Sequence, residues 1–224
     1  MRTTLYTIFV SVTLLAAGAA AAQETEIQWS TGVDFTSGKY SDTLKTEILY
    51  LPFSGKVLFG DFTAKVTVPY IRIKGPGTVV GGGEVGPITR DRVPNVITSQ
   101  DGIGDVTASL SYTKYLQDNT LFVDLTGKVK IPTASSVKSL GTGEADYTAQ
   151  IDVTKQTGDL NLFAAGGYRF MGSNDIFQLQ NGFLASAGFS FDMAKKTSIG
   201  LIYDYRESAS LTAANPSELT GFIS

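Results

Sequence analysis

The stretch Thr120 to Ile131, TLFVDLTGKVKI, closed by Pro132, carries the pattern that most of this chain repeats. Side chains of an extended strand alternate between two faces. Leu121, Val123, Leu125, Gly127, Val129 and Ile131 therefore share one face, and Phe122, Asp124, Thr126, Lys128 and Lys130 share the other. The first face is apolar along its length, whereas the second carries an acid and two lysines. Two architectures give this alternation. A soluble sandwich turns the apolar face inward, and a membrane barrel turns it outward in segments of about ten residues. The other strands, the connections and the two ends of the chain discriminate between them.

Composition narrows the choice of chemistry. The chain has 224 residues, 24 of them glycine and 11% aromatic, which suits one domain of many strands and turns. Lys+Arg number 18 against 21 Asp+Glu, a formal net charge of −3, so no nucleic-acid partner is expected. There is no cysteine, which removes disulfides, thiol catalysis and zinc–cysteine sites. There is no histidine either, so Ser-His-Asp hydrolysis, an imidazole base and histidine metal sites are excluded. No catalytic residue, metal site or cofactor is expected. Gly81-Gly82-Gly83 and Gly141-Thr142-Gly143 lack the following helix and Lys-Ser/Thr pair of a phosphate loop.

At the N-terminus, Arg2 precedes an apolar run from Leu5 to Leu15, and small residues lead to Ala20-Ala21-Ala22 before Gln23. This is the layout of a cleaved secretory signal peptide over residues 1–22, leaving 23–224 as the mature domain. The run falls short of the roughly 20 residues that a spanning helix needs. A mature chain in a membrane must then be a closed barrel, because its backbone groups need partners there.

From Thr25 the alternation continues: Ile27, Trp29, Thr31, Val33 and Phe35 against Gln28, Ser30, Asp34 and Thr36. Leu44 to Phe59 is harder to phase, since Ile48, Tyr50 and Leu58 oppose Leu49, Leu51, Phe53, Val57 and Phe59, and Pro52 interrupts the ladder. A bulge is the expected reconciliation. Phe62 to about Lys74, Asp105 to Tyr115, Ala145 to Thr154, Leu160 to Phe170, Phe183 to Phe191 and Ile199 to Tyr205 read as further strands, with Phe163 breaking phase. Ser217 to Ser224 begins a last segment, for about ten strands in all. Gly75 to Gly102 is a long glycine-rich connection and a candidate lid.

Short turns near Gly60, Gln117, Gln156 and Lys195 alternate with longer loops near Gly38, Gly83, Ser136, Asn174 and Thr212. Membrane barrels combine short periplasmic turns with longer outer loops. Aromatic residues gather toward strand ends, among them Trp29, Phe59, Tyr70, Tyr115, Tyr168, Phe170, Phe189, Phe191, Tyr203 and Tyr205, as interfacial girdles require. The expected fold is therefore all-β, an up-and-down antiparallel transmembrane β-barrel. The residues expected to line its interior are Lys65, Asp105, Asp124, Lys128, Lys130, Asp152, Arg169 and Asp204.

Gly102-Ile103-Gly104-Asp105-Val106, Lys130-Ile131-Pro132-Thr133, Leu140-Gly141-Thr142-Gly143 and Asp146-Tyr147 give the chain a likeness to a known group. It resembles the outer-membrane proteins named for the meta-pathway of phenol degradation, from about Thr43 onward and most strongly between Gly102 and Phe170. The resemblance implies a barrel of about twelve strands in the outer membrane of a Gram-negative bacterium. It also implies uptake of aromatic or other hydrophobic compounds, and it carries over no site residue. With about ten strands present and an end at Gly221-Phe222-Ile223-Ser224, a further C-terminal hairpin is expected to be missing.

The functional expectation is a channel or transporter for passive passage of small, hydrophobic or aromatic solutes. Its partners would be outer-membrane lipid, the solute and the barrel-assembly machinery. A structural barrel without transport and a secreted soluble β-protein are the alternatives.

Overall fold

Period-two alternation of apolar and polar residues gives strands wherever it runs. The computed structural model describes residues 10–16, 25–38, 45–76, 79–80, 88–89, 97–175, 177–194, 197–210 and 215–223. The strands are β1 (Val10–Ala16), β2 (Glu26–Gly38), β3 (Thr46–Phe59), β4 (Phe62–Pro76), β5 (Val79–Val80), β6 (Ile88–Thr89) and β7 (Ile97–Ile103). There follow β8 (Val106–Leu116), β9 (Leu121–Ile131), β10 (Asp146–Thr157), β11 (Leu160–Phe170), β12 (Gly182–Ala194), β13 (Thr197–Arg206) and β14 (Ser217–Ile223). Among the described residues there is no helix.

All the main strands belong to one antiparallel sheet in the order β1-β2-β3-β4-β8-β9-β10-β11-β12-β13-β14, with β7 also paired to β4. About ten strands curl into a half-barrel. Among the described residues β14 pairs only with β13, and the other edge of β2 is taken by β1, so the path does not close on itself. β1 lies inside the expected signal peptide and pairs with β2 from Val10↔Val33 to Ala16↔Ile27.

Turn lengths alternate as expected. β3 passes to β4 through Gly60 and Asp61, and β8 to β9 through Gln117, Asp118 and Asn119, all three at positive φ (50°, 52° and 63°). Asn and Asp tolerate that left-handed region better than most side chains. Thr120 closes the turn by donating from its backbone N and its Oγ1 to the Gln117 carbonyl at 3.2 and 2.8 Å. The Lys195-Lys196 turn and the glycines at 81–83 lie outside the described residues. So does most of the candidate lid, of which the ends are ordinary strand: β4 runs to Pro76 and pairs with β7 as Pro76↔Ile97.

The expected bulge in β3 is absent. Its register with β4 is unbroken from Glu47↔Lys74 to Phe59↔Phe62, and Pro52 lies opposite Pro69. The mixed phase has a simpler cause, because both faces of β3 are apolar near the loop end. Ile48 (3% exposed) points inward and joins Ile71, Ile73, Ala134 and Leu140 in the buried cluster, with Tyr50 packed against it. The bulge falls instead between β7 and β8, where Tyr70↔Ile103 and Thr67↔Thr107 show one residue more on that side than on β4. Gly104 sits in it and donates its backbone N to the Pro69 carbonyl at 2.9 Å. A Cβ there would lie 2.4 Å from Ile71 Cδ1 and 2.9 Å from its Cγ1, so a larger residue would have to push the buried Ile71 aside.

Phe163, out of phase in sequence, points to the concave side and lies across Gly188. Phe222 covers Gly200 in the same way, and Trp29 covers Gly55 on the convex side. An aromatic ring over a cross-strand glycine restores the contact that the missing side chain forfeits. A Cβ on Gly188 would lie 2.4 Å from the Leu201 carbonyl oxygen and 2.5 Å from Phe163 Cζ. Gly188→Ala is expected to cost about 1–3 kcal/mol, measured by urea unfolding in detergent micelles. A cost under about 0.5 kcal/mol would show that Phe163 moves aside without loss.

The convex face is apolar around the sheet. Phe53, Leu110, Leu125, Ile151, Phe183 and Leu219 are each more than half or nearly half exposed, at 46–69%. Rings pack near both ends: Phe59–Phe62 (5.8 Å) and Phe62–Tyr112 (5.2 Å) by the short turns, Tyr168–Phe170 (5.0 Å) and Tyr168–Phe183 (4.8 Å) by the long connections. Tyr115 is different from the girdle residue expected. It pairs with Phe122 across β8 and β9 on the polar face, ring to ring at 5.5 Å.

Candidate functional site

β9 turns Lys128 and Lys130 to the concave face, because both share phase with Asp124 and Thr126. At the loop end of that face Lys130 is 7% exposed and Asp146, across the ladder on β10, is 5% exposed. The Lys130 ammonium forms ion pairs with Asp146 Oδ2 at 2.7 Å and Asp105 Oδ2 at 3.3 Å, and donates to Thr142 Oγ1 at 3.2 Å. The remaining carboxylate oxygens are also used: Asp105 Oδ1 accepts from Ala134 N at 3.0 Å, and Asp146 Oδ1 from Gly172 N at 2.9 Å. Thr133 Oγ1 donates to the Gly104 carbonyl at 3.0 Å and accepts from Val106 N at 2.9 Å.

The short motifs singled out in the sequence thus meet in space. The Gly102–Val106 bulge, Lys130–Thr133, Leu140–Gly143 and Asp146 form one buried knot that ties the 132–145 connection down. Leu140, 1% exposed, fills it from the apolar side, so Gly141–Gly143 serves packing rather than a phosphate. The neighbouring connections are tied in turn. Asn174 Nδ2 donates to the Thr142 carbonyl and to Glu144 Oε1, both at 3.1 Å. Gln180 Nε2 donates to the Ser208 carbonyl at 3.0 Å, and Arg169 Nη2 to the Glu207 carbonyl at 2.6 Å.

Beside this knot, between β9 and β13, is a cavity of about 320 Å³ whose wall includes Lys128, Lys130, Asp146, Arg169, Asp204 and Arg206. Four of the eight interior residues expected from sequence therefore line it: Lys128, Lys130, Arg169 and Asp204. Asp105 reaches it only through Lys130. Asp124 and Asp152 face each other lower on the same face, where Thr113 Oγ1 donates to Asp124 and Gln150 Nε2 to Asp152 at 2.7 Å. Lys65 stands apart, opposite Lys56 on β3. Asp146 and Arg206 were not among the expected residues. Both are in phase with ones that were, Asp146 with Asp152 and Arg206 with Asp204, so face periodicity alone could have found them.

The geometry defines a class: an antiparallel half-barrel with an apolar convex face and a charged, hydrogen-bonded concave face. No protein-family model matches the sequence, and no curated protein matches it at a significant level.

Proposed function

We propose that this chain is a β-barrel protein of the bacterial outer membrane that passes or binds small, hydrophobic or aromatic solutes. The observation that carries the reading is the division between its faces. Monomeric soluble proteins rarely expose a continuous apolar patch beyond a few hundred Å². Here apolar side chains remain exposed on the convex side of strand after strand, with aromatic pairs near both ends, while charges gather on the concave side. A membrane barrel has this distribution, with lipid against the apolar band. Export through a signal peptide over 1–22 fits the reading, as does insertion by the barrel-assembly machinery. The likeness to the phenol meta-pathway proteins favours an aromatic solute.

A structural barrel without transport is the second reading, favoured by the mutual neutralisation of Lys130, Asp105 and Asp146 and by the tied connections at that end. Folded in detergent, the mature protein is expected to migrate differently before and after heating and to admit a labelled aromatic compound into liposomes. A soluble, heat-insensitive protein would defeat the membrane reading. A heat-modifiable protein that gives neither swelling nor uptake would leave the structural barrel.

A further inference from the structure

We propose that the cavity between β9 and β13 binds a small organic anion, a carboxylate on an apolar body, with Arg169 as its principal ligand. The inference deepens the solute reading above and rests on it for its place in transport, but the site itself is made by this chain's residues.

Arg169 is 8% exposed, and its guanidinium stays charged under all physiological conditions. Among the described residues only Nη2 has a hydrogen-bond partner, the Glu207 carbonyl; Nε and Nη1 are buried with none there. A buried donor without an acceptor is costly, and a charged one more so. The acids at the wall do not supply the acceptor. Asp146 and Glu207 lie near the guanidinium, but Asp146 faces Lys130 at 2.7 Å and accepts from Gly172 N at 2.9 Å, Glu207 Oε2 accepts from Phe183 N at 2.7 Å, and Asp204 is on β13, separated from β11 by β12.

Lys128 and Arg206 line the same cavity, each with an acid near it, Asp152 by Lys128 and Asp34 by Arg206. Met171 and Leu184 add apolar surface, and about 320 Å³ is at the small end of the range for ligand sites. A solute without an acceptor would leave the Arg169 donors unmet, and a neutral oxygen would meet them more weakly than a carboxylate does. A bare inorganic anion would meet them but leave Met171 and Leu184 against water. A carboxylate with an apolar body satisfies both.

The test is titration of the folded full mature chain in detergent micelles with benzoate, benzyl alcohol and inorganic phosphate, followed by calorimetry at low and high salt. Benzoate is expected to bind saturably, at least about tenfold tighter than either comparison compound, and more weakly at high salt. Arg169→Gln is expected to weaken benzoate by about tenfold or more, and Lys128→Gln by a smaller factor. Heat-modifiable migration reports folding of each variant, and Lys128→Gln decides if Arg169→Gln does not fold. Equal binding of benzyl alcohol, tighter binding of phosphate, or folded variants with unchanged benzoate affinity would overturn the proposal. Benzoate binding without uptake into liposomes would uphold the site and defeat transport. Equal uptake of benzoate and benzyl alcohol with no benzoate binding would do the reverse.

Discussion

Lys130→Met is expected to destabilise the folded protein by about 3–5 kcal/mol, the largest effect of any single change considered. The lysine is buried with two carboxylates, Asp105 and Asp146, whose side chains are only 11% and 7% exposed. Removing it leaves two negative charges facing each other out of water, with backbone N–H groups as their remaining partners. The cost comes from that uncompensated charge more than from the lost attraction. Asp105→Asn and Asp146→Asn, added to Lys130→Met, should therefore recover a substantial part of the loss. Urea unfolding in micelles of the single and triple variants measures both quantities. Recovery below about 0.5 kcal/mol would show that the knot acts through packing of Leu140 and Ala134 instead.

Leu125→Arg is expected to cost about 2–4 kcal/mol in a bilayer, the penalty for arginine on the lipid face at mid-depth. β9 spans Leu121–Ile131, so Leu125 lies near its middle, whereas Val129 lies near the loop end. Leu125 is 53% exposed on the convex side. In a protein surrounded by water, arginine at such a position would change stability by less than about 0.5 kcal/mol. The same substitution thus separates a membrane barrel from a soluble sheet. Lys128→Gln, on the opposite face, should alter solute preference with little effect on stability. Equal destabilisation by the two would mean that inside and outside are reversed.

Strand phase was legible wherever one face alone was apolar. Tyr147, Ala149, Ile151 and Val153 alternate with Asp146, Thr148, Gln150 and Asp152, and the exposures follow that order residue by residue. The pattern misled where loops contribute burial. Ile48 and Tyr50 look out of phase on β3 because their partners, Ala134 and Leu140, come from a connection about 90 residues later, and no local period encodes that contact. The bulge was hidden for a related reason. A register shift is a relation between two strands, and the Gly102–Val106 segment reveals it only when paired with β4. Face periodicity placed Lys128, Lys130, Arg169 and Asp204 on the right side, but it carries no information on height or on distance around the sheet. That is why Lys65 shares their face but not their cavity.

The neighbour order of the sheet also bears on how the chain reaches it. From β2 to β14 each strand of the curved sheet pairs with the next span along, so assembly can proceed as a zipper that adds one hairpin at a time to a growing edge. Topologies of this kind avoid the search for distant partners that slows many β-proteins. The longest gap to be closed is the excursion between Pro76 and Ile97. Relative to a two-residue turn, closing it costs only about 2 kcal/mol of chain entropy, because that cost grows with the logarithm of length. The long connection can therefore vary in sequence and length with little effect on the rate at which the zipper passes it.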